Sequence, residues 1–239
     1  MQMLLQKFRS LAIAAAMLAA VTASAAAASP ASFLVVHGIP GRDVGAGIDP
    51  QLPVDVLVNG SLCLLKNFTF GQIAGPFDVP AGTYSIAISL ANPISPCSNS
   101  AVISASVDLT AGAFGAVVAQ LSTTGAPTAG VYPIDVSPVP AGQQRFVVAH
   151  AADAPTVLVH GVSISKTPQS FSFSLSEGAN AEKLVTAQAK YQVSIAAGKT
   201  VFEPLDVTGG NQGLFFVVAV GNAGSGSVTL LGKTIPSVF

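Results

Sequence analysis

Val54-Asp55-Val56-Leu57-Val58-Asn59-Gly60 recurs further down the chain as Pro155-Thr156-Val157-Leu158-Val159-His160-Gly161. Each copy is a short Val-rich run bounded by turn residues, which reads as a β-strand. Asn59-Gly60 is the strongest two-residue hairpin signal, because both central residues of a type I′ turn need positive φ. Other stretches return in the same order. Phe68-Thr69-Phe70 comes back as Phe171-Ser172-Phe173, Asp108-Leu109-Thr110-Ala111-Gly112 as Asp206-Val207-Thr208-Gly209-Gly210, and Val117-Val118-Ala119 as Val217-Val218-Ala219. A constant offset of about 100 residues marks a duplicated unit rather than one larger fold.

Within each unit the apolar runs are short, rich in Val, Ile and Phe, and punctuated by Gly, Pro, Asn and Asp. Strands are expected at 33–37, 54–58, 61–66, 83–90, 101–109, 114–121 and 131–136 in the first unit. In the second they are expected at 145–150, 157–159, 162–166, 170–175, 190–196, 200–207, 214–220 and 227–231, with a hairpin turn at His160-Gly161. Ala179–Ala189 is the one stretch read as a helical turn. Seven or so strands in ~100 residues, with frequent turns, predict an Ig-like β-sandwich. The fold class is therefore all-β, two tandem Ig-like antiparallel β-sandwich domains at 29–136 and 145–239. Ser137–Gln144 forms a Pro/Gly linker, semi-stiff through Pro138 and Pro140. Tyr84 and Tyr191 fall at matching points and suit corner tyrosines whose hydroxyls bond back to the backbone.

The first 28 residues predict export. Lys7 and Arg9 head an Ala-rich apolar run from Leu11 to about Val21, and Ala26-Ala27-Ala28 precede Ser29. This is the tripartite pattern of a cleaved secretory signal. The run is shorter than the ~20 residues a membrane span needs, and no later segment is long and apolar enough to cross a bilayer. The expected location is secreted or periplasmic, in a bacterium to judge from the Ala-rich leader. Without the leader, eight Lys and Arg face eleven Asp and Glu, and no basic cluster remains. Nucleic acid and anionic membrane surfaces are thereby poor partners. Charged residues make up only 9% of the chain, against ~25% in an average globular protein, which favours self-association or contact with envelope or matrix material. Cys63 and Cys97, an even pair in an exported chain, are expected as one structural disulfide.

The first unit resembles the secreted-protein family catalogued as domain of unknown function 4397. The resemblance rests on Val35-Val36-His37, Pro53–Gly60, Phe70-Gly71, Pro80-Ala81-Gly82-Thr83-Tyr84 and Asp108–Gly112. The second unit is similar through Val147-Val148-Ala149-His150 and Asp153-Ala154-Pro155. It departs at Ser174 and at Gln188-Ala189-Lys190-Tyr191, and the first unit departs by an insertion of about a dozen residues, Gly41 to Leu52. The resemblance implies an exported, Ig-like module, often in tandem, and carries no activity with it.

Chemistry-bearing motifs are sparse. Leu34–Gly41 looks like the oxyanion-loop sequence of α/β-hydrolases, but no Gly-x-Ser-x-Gly elbow accompanies it. His37 and His150 instead align between the repeats and suit a shared strand-end role. With His160, they form no metal-ligand spacing. Asp43 and Asp49 are the nearest approach to a calcium loop and lack the closely spaced acids it needs. Asp108 and Asp206 recur at turn entries, where hydrogen bonding to local backbone is expected. No catalytic residue, cofactor or metal site is expected. Function is expected in the loops at a sandwich end: the insertion with Arg42, Asp43 and Asp49, and its counterpart Glu177–Lys183 with Glu177 and Asn180. Three functional classes follow in order: a non-catalytic structural or adhesive module of the envelope or matrix, a glycan- or peptide-binding module, and an enzyme.

Overall fold

The computed structural model describes residues 28–187, 189–208 and 212–235. The expected leader (but for its last residue) and Gly209-Gly210 lie outside them. The described chain is β throughout, apart from one 3₁₀ turn at Gly41–Asp43. The first half carries β1 (Ala31–His37), β2 (Val54–Val58), β3 (Leu62–Phe68), β4 (Ile73–Val79), β5 (Gly82–Leu90), β6 (Ile103–Leu109), β7 (Phe114–Leu121) and β8 (Pro127–Ile134). The second carries β9 (Gln143–His150), β10 (Val157–Ser163), β11 (Ser170–Leu175), β12 (Asn180–Thr186), β13 (Lys190–Ala197), β14 (Thr200–Val201), β15 (Leu205–Thr208), β16 (Leu214–Val220) and β17 (Thr229–Ile235).

Four sheets result. The first half contributes β4-β1-β7-β8 and β3-β2-β5-β6. The second contributes β12-β9-β16-β17 and β11-β10-β13, with β14 and β15 both on the far side of β13. The order is the same in both halves. The sheets β4-β1-β7-β8 and β12-β9-β16-β17 are mixed rather than purely antiparallel, because β1 runs parallel to β7 and β9 parallel to β16.

Those parallel pairs explain how the halves join. In β1, Phe33 and Val35 enter the core of the first half, whereas Leu34 and Val36 enter a separate core. In β7, Val117 and Ala119 take the first direction and Ala116 and Val118 the second. From the other half, Phe146 and Val148 of β9 and Phe215 and Val217 of β16 fill their own core. Val147, Ala149, Leu214, Phe216 and Val218 meet Leu34 and Val118 in the shared one. Successive side chains on a strand point to opposite faces, so a strand buried on both must be apolar at every position. The runs Phe-Leu-Val-Val in β1 and Leu-Phe-Phe-Val-Val in β16 satisfy that need. The molecule is thus a stack of four sheets with three apolar layers between them.

Polar contacts reinforce the shared layer. Gly221 N–H donates to Gly38 O (3.2 Å), Asn180 Nδ2 to Pro133 O (2.6 Å) and Lys233 Nζ to Ile73 O (3.3 Å). Tyr132 Oη donates to Gln120 Oε1 (2.6 Å) and lies 3.2 Å from His150 O. The stretch expected as a semi-stiff linker is packed and bonded. Val139 is buried, and Arg145 binds Asp135, Glu182 (2.8 Å) and the carbonyl of Ser137 (3.0 Å) at once.

Several local expectations change. β4 and β12, the edge partners of β1 and β9, stand where no strand was expected. Gly75-Pro76 interrupts the pattern of β4, and Pro is tolerated there because β4 is an edge strand with an irregular register. The helical turn expected over Ala179–Ala189 is instead β12. Its Ala-Glu-Lys-Leu composition favours helix, but pairing with β9 along seven positions overrides that propensity. His160-Gly161 is not a turn either, since β10 runs through it. Gly161 is needed there for space, because a Cβ would fall 2.2 Å from the Phe171 ring. Pro204 splits the strand expected at 200–207 into β14 and β15. Asp108 and Asp206 form cross-strand pairs rather than turns, with Thr83 Oγ1 (2.6 Å) and Lys190 Nζ (2.9 Å) respectively. Tyr84 Oη donates to Pro80 O (2.7 Å) as a corner tyrosine should, whereas the buried Tyr191 hydroxyl has no partner among the described residues.

Candidate binding pocket

β1 and β7 end, and β2 and β6 begin, at one end of the first half. There the chain from Ile39 to Pro53 must cross from one sheet to the other. In the second half the same crossing is short. The matching histidines measure the difference: His37 Nε2 meets Leu52 O (2.8 Å) fifteen residues on, and His150 Nε2 meets Pro155 O (3.1 Å) five residues on. Each histidine closes its strand end against the start of the facing sheet, which accounts for their alignment. Ile39 N–H also donates to Nδ1 of His37 (3.3 Å), so the ring is neutral with its proton on Nε2. Burial lowers the pKa of both rings, partly opposed by these carbonyl contacts.

The ten extra residues fold into a closed loop. Gly41 N–H donates to Pro50 O (3.1 Å), Leu52 N–H to Asp49 O (2.8 Å) and Gln51 N–H to the Asp49 carboxylate (2.9 Å). The neck tolerates only glycine at Gly41, because a Cβ would lie 1.9 Å from the Asp49 carbonyl oxygen. The loop turns Val44, Ile48 and Leu52 inward over the sandwich end, where they roof a cavity of about 180 Å³. Its floor is His37 and Ala119 from one sheet and Ile88 and Ile103 from the other, and the surface it exposes is entirely apolar. Ile48 (38% exposed), Leu90 (48%) and Val102 (59%) stand at its mouth.

The neighbouring loop, Ala91–Val102, is fixed by an acid and a disulfide. The buried Asp55 accepts N–H bonds from Asn67 on one oxygen (2.9 Å), and from Asn92 (3.0 Å) and Cys97 (2.8 Å) on the other. Burial would raise this carboxyl. The three N–H donors and the charge of Lys66 outweigh it and hold the group below the usual carboxylate range. Cys63 and Cys97 form the expected disulfide, which ties the same loop to β3. The repeat has Thr156 in place of Asp55 and no cysteine, so the second half lacks this device. An acid between two valines inside a strand was the signal for Asp55.

The candidate residues of the two loops are not brought to one pocket. Arg42 is exposed. Asp43 accepts from Ser227 Oγ of the second half, and its other oxygen is buried without a partner among the described residues. Ser227 Oγ also accepts from Asn222 N–H (2.7 Å), and Asn222 Nδ2 donates to Asp153 (2.6 Å). Glu177 sits near Asp153, and burial together with that charge raises its pKa. Asn180 belongs to β12 and is spent on Pro133. The expected loop Glu177–Lys183 is thus largely strand, and of these acids Asp43 is the one that bonds across the halves, to Ser227, while Glu177 faces the like charge of Asp153 within the second half. Among the described residues no cluster of three or more His, Cys, Asp or Glu is placed to hold a metal, and no helix is long and apolar enough to cross a membrane. Asp49 binds its own loop.

A family model described as Domain of unknown function (DUF4397) matches residues 31–160, from β1 into β10. No curated protein matches the chain. Among solved structures, a protein of Bacteroides ovatus provisionally described as a cell adhesion protein is similar at 11% identity and TM-score 0.27, over 90% of this chain and 99% of that one. One of Bacteroides fragilis, described in the same way, is similar at 11% identity and TM-score 0.27, over 89% and 99%.

Proposed function

The chain belongs to the DUF4397 family, and from that premise we propose that it is an exported, non-catalytic adhesive module of the cell envelope or extracellular matrix. In this reading its halves are tandem Ig-like domains, 29–136 and 145–239, delivered by a cleaved leader. They hold a protein partner at the capped end of the first. The matching strand orders support the tandem reading, and the disulfide fits an oxidising compartment. The observation that carries the adhesive reading is the apolar cavity roofed by Val44, Ile48 and Leu52 on a stack whose halves are locked together. Sites for drug-sized ligands run to ~300–1,000 Å³ with a few convergent polar groups. This one is smaller and exposes no polar surface, which suits one apolar side chain of a protein partner rather than a glycan. The test replaces Gly41–Gln51 by a connection as short as Ala151–Ala154 and measures retention of the protein on its own cell envelope. Retention should fall to background, and unchanged retention refutes the reading.

A further inference from the structure

Ile94 is 95% exposed, the most exposed of the large apolar side chains among the described residues. Single exposed apolar residues are ordinary, but this one is held out on a locked backbone. Asn92 Oδ1 accepts the N–H of Ile94 itself (3.1 Å) and of Ser95 (3.0 Å), Asp55 fixes Asn92 and Cys97, and the disulfide anchors the loop to β3. The cavity lies at the same end. Ile48, Leu52 and Leu90 line both the cavity and a shallower depression beside it, and that depression also takes in Pro93, next to Ile94 in the chain. One surface therefore presents an apolar knob and an apolar hole.

We propose that two copies of this chain pair end to end about a two-fold axis, the Ile94 side chain of each entering the apolar cavity of the other. The proposal rests on the capped end being the contact surface and names a second copy as its partner. A patch that carries both knob and hole is self-complementary, so the contact closes at two copies instead of growing into a fibre. A dry apolar cavity of about 150 Å³ accommodates benzene, so one of about 180 Å³ accepts the branched four-carbon side chain of isoleucine. The locked loop lowers the ordering cost of association. One loop tip and one cavity mouth cover less than the roughly 800 Å² per partner of a standard interface, so pairing in solution is weak. It strengthens when many copies are displayed on one surface.

Sedimentation equilibrium of the exported chain, from about 10 μM to about 1 mM, tests this against the weak end of the affinity scale. The weight-average mass should rise from one copy towards two and change little with salt, since no charge pair is involved. Ile94→Ser removes the knob and Val102→Phe blocks the mouth, and either should return the mass to one copy across the range. Both positions are exposed, so an unchanged melting temperature confirms that the variants fold. A single-copy mass for the unaltered chain, or a dimer indifferent to Ile94→Ser, overturns the proposal. Monomers whose envelope retention still needs the 41–51 loop leave the adhesive reading standing and sink only the pairing. Dimers that dissociate with Ile94→Ser while retention ignores the loop do the reverse.

Discussion

Asp55→Asn exchanges one heavy atom in the β2 carboxylate that holds the Ala91–Val102 loop. The carboxylate receives three backbone N–H groups at 2.8–3.0 Å. An asparagine keeps one oxygen. Its best placement turns that oxygen to Asn92 and Cys97, and its NH₂ then confronts the N–H of Asn67. The variant forfeits charge assistance on two bonds and leaves two donors facing each other. Bonds to charged groups are worth about 1.5–3 kcal/mol, and an orphaned buried donor costs about 1–3, so the expected loss is about 3–5 kcal/mol. That equals or exceeds the disulfide, whose 34-residue separation is worth about 3–4 kcal/mol in the chain-entropy model. Urea unfolding at pH 7 measures it, and a loss under about 1 kcal/mol would refute the role given to Asp55. The folded carboxyl lies below its ordinary value, so its contribution is complete above that value and is lost as pH falls through the folded one. The Asn variant should lack this part of the acid sensitivity.

His37 and His150 should make the fold lose stability earlier in acid. Both are held neutral below 6.5, so the unfolded chain binds protons the folded one refuses, and stability falls as pH drops below about 6.5, with a limiting slope near 2.7 kcal/mol per pH unit for the two together. Glu177, whose pKa is raised, acts oppositely, so denaturant melts between about pH 7 and 5.5 are run on a Glu177→Gln background to isolate the histidines. A flat profile there contradicts their buried, neutral state. Gly41→Ala should open the neck of the insertion with little effect on the sandwich, seen as faster amide exchange at Leu52 while β2 and β5 keep their protection. Equal protection at Leu52 would mean that the neck has room for a Cβ at Gly41.

The hairpin at Asn59-Gly60 was legible because its chemistry is local: both residues take positive φ, at 51° and 66°. β4 and β12 were not, because an edge strand is held by pairing with β1 or β9 rather than by its own composition, and neither Gly75-Pro76 nor Ala-Glu-Lys-Leu looks like a strand in isolation. The shared layer had a signal. Val35-Val36, Val117-Val118, Val147-Val148 and Val217-Val218 interrupt the in-out alternation expected of a sheet with one wet face, and continuous apolarity marks strands covered on both sides. The charged residues Arg42, Asp43 and Asp49 mask the pocket in the sequence. Val44, Ile48 and Leu52, spaced every four residues through a Gly-rich insertion, are the residues that face inward. Asp43 and Asn180 could not be placed from sequence, since Ser227 and Pro133 are distant in the chain.

The two halves share an interior and behave as one body. Phe216, fully buried in the shared layer, reaches neither of the separate cores. Phe216→Ala should cost about 3–5 kcal/mol, and native-state amide exchange should report that loss equally in β5 of the first half and β13 of the second. Undiminished protection in β5 alongside a weakened β13 would mean instead that the halves are two independent bodies on a linker.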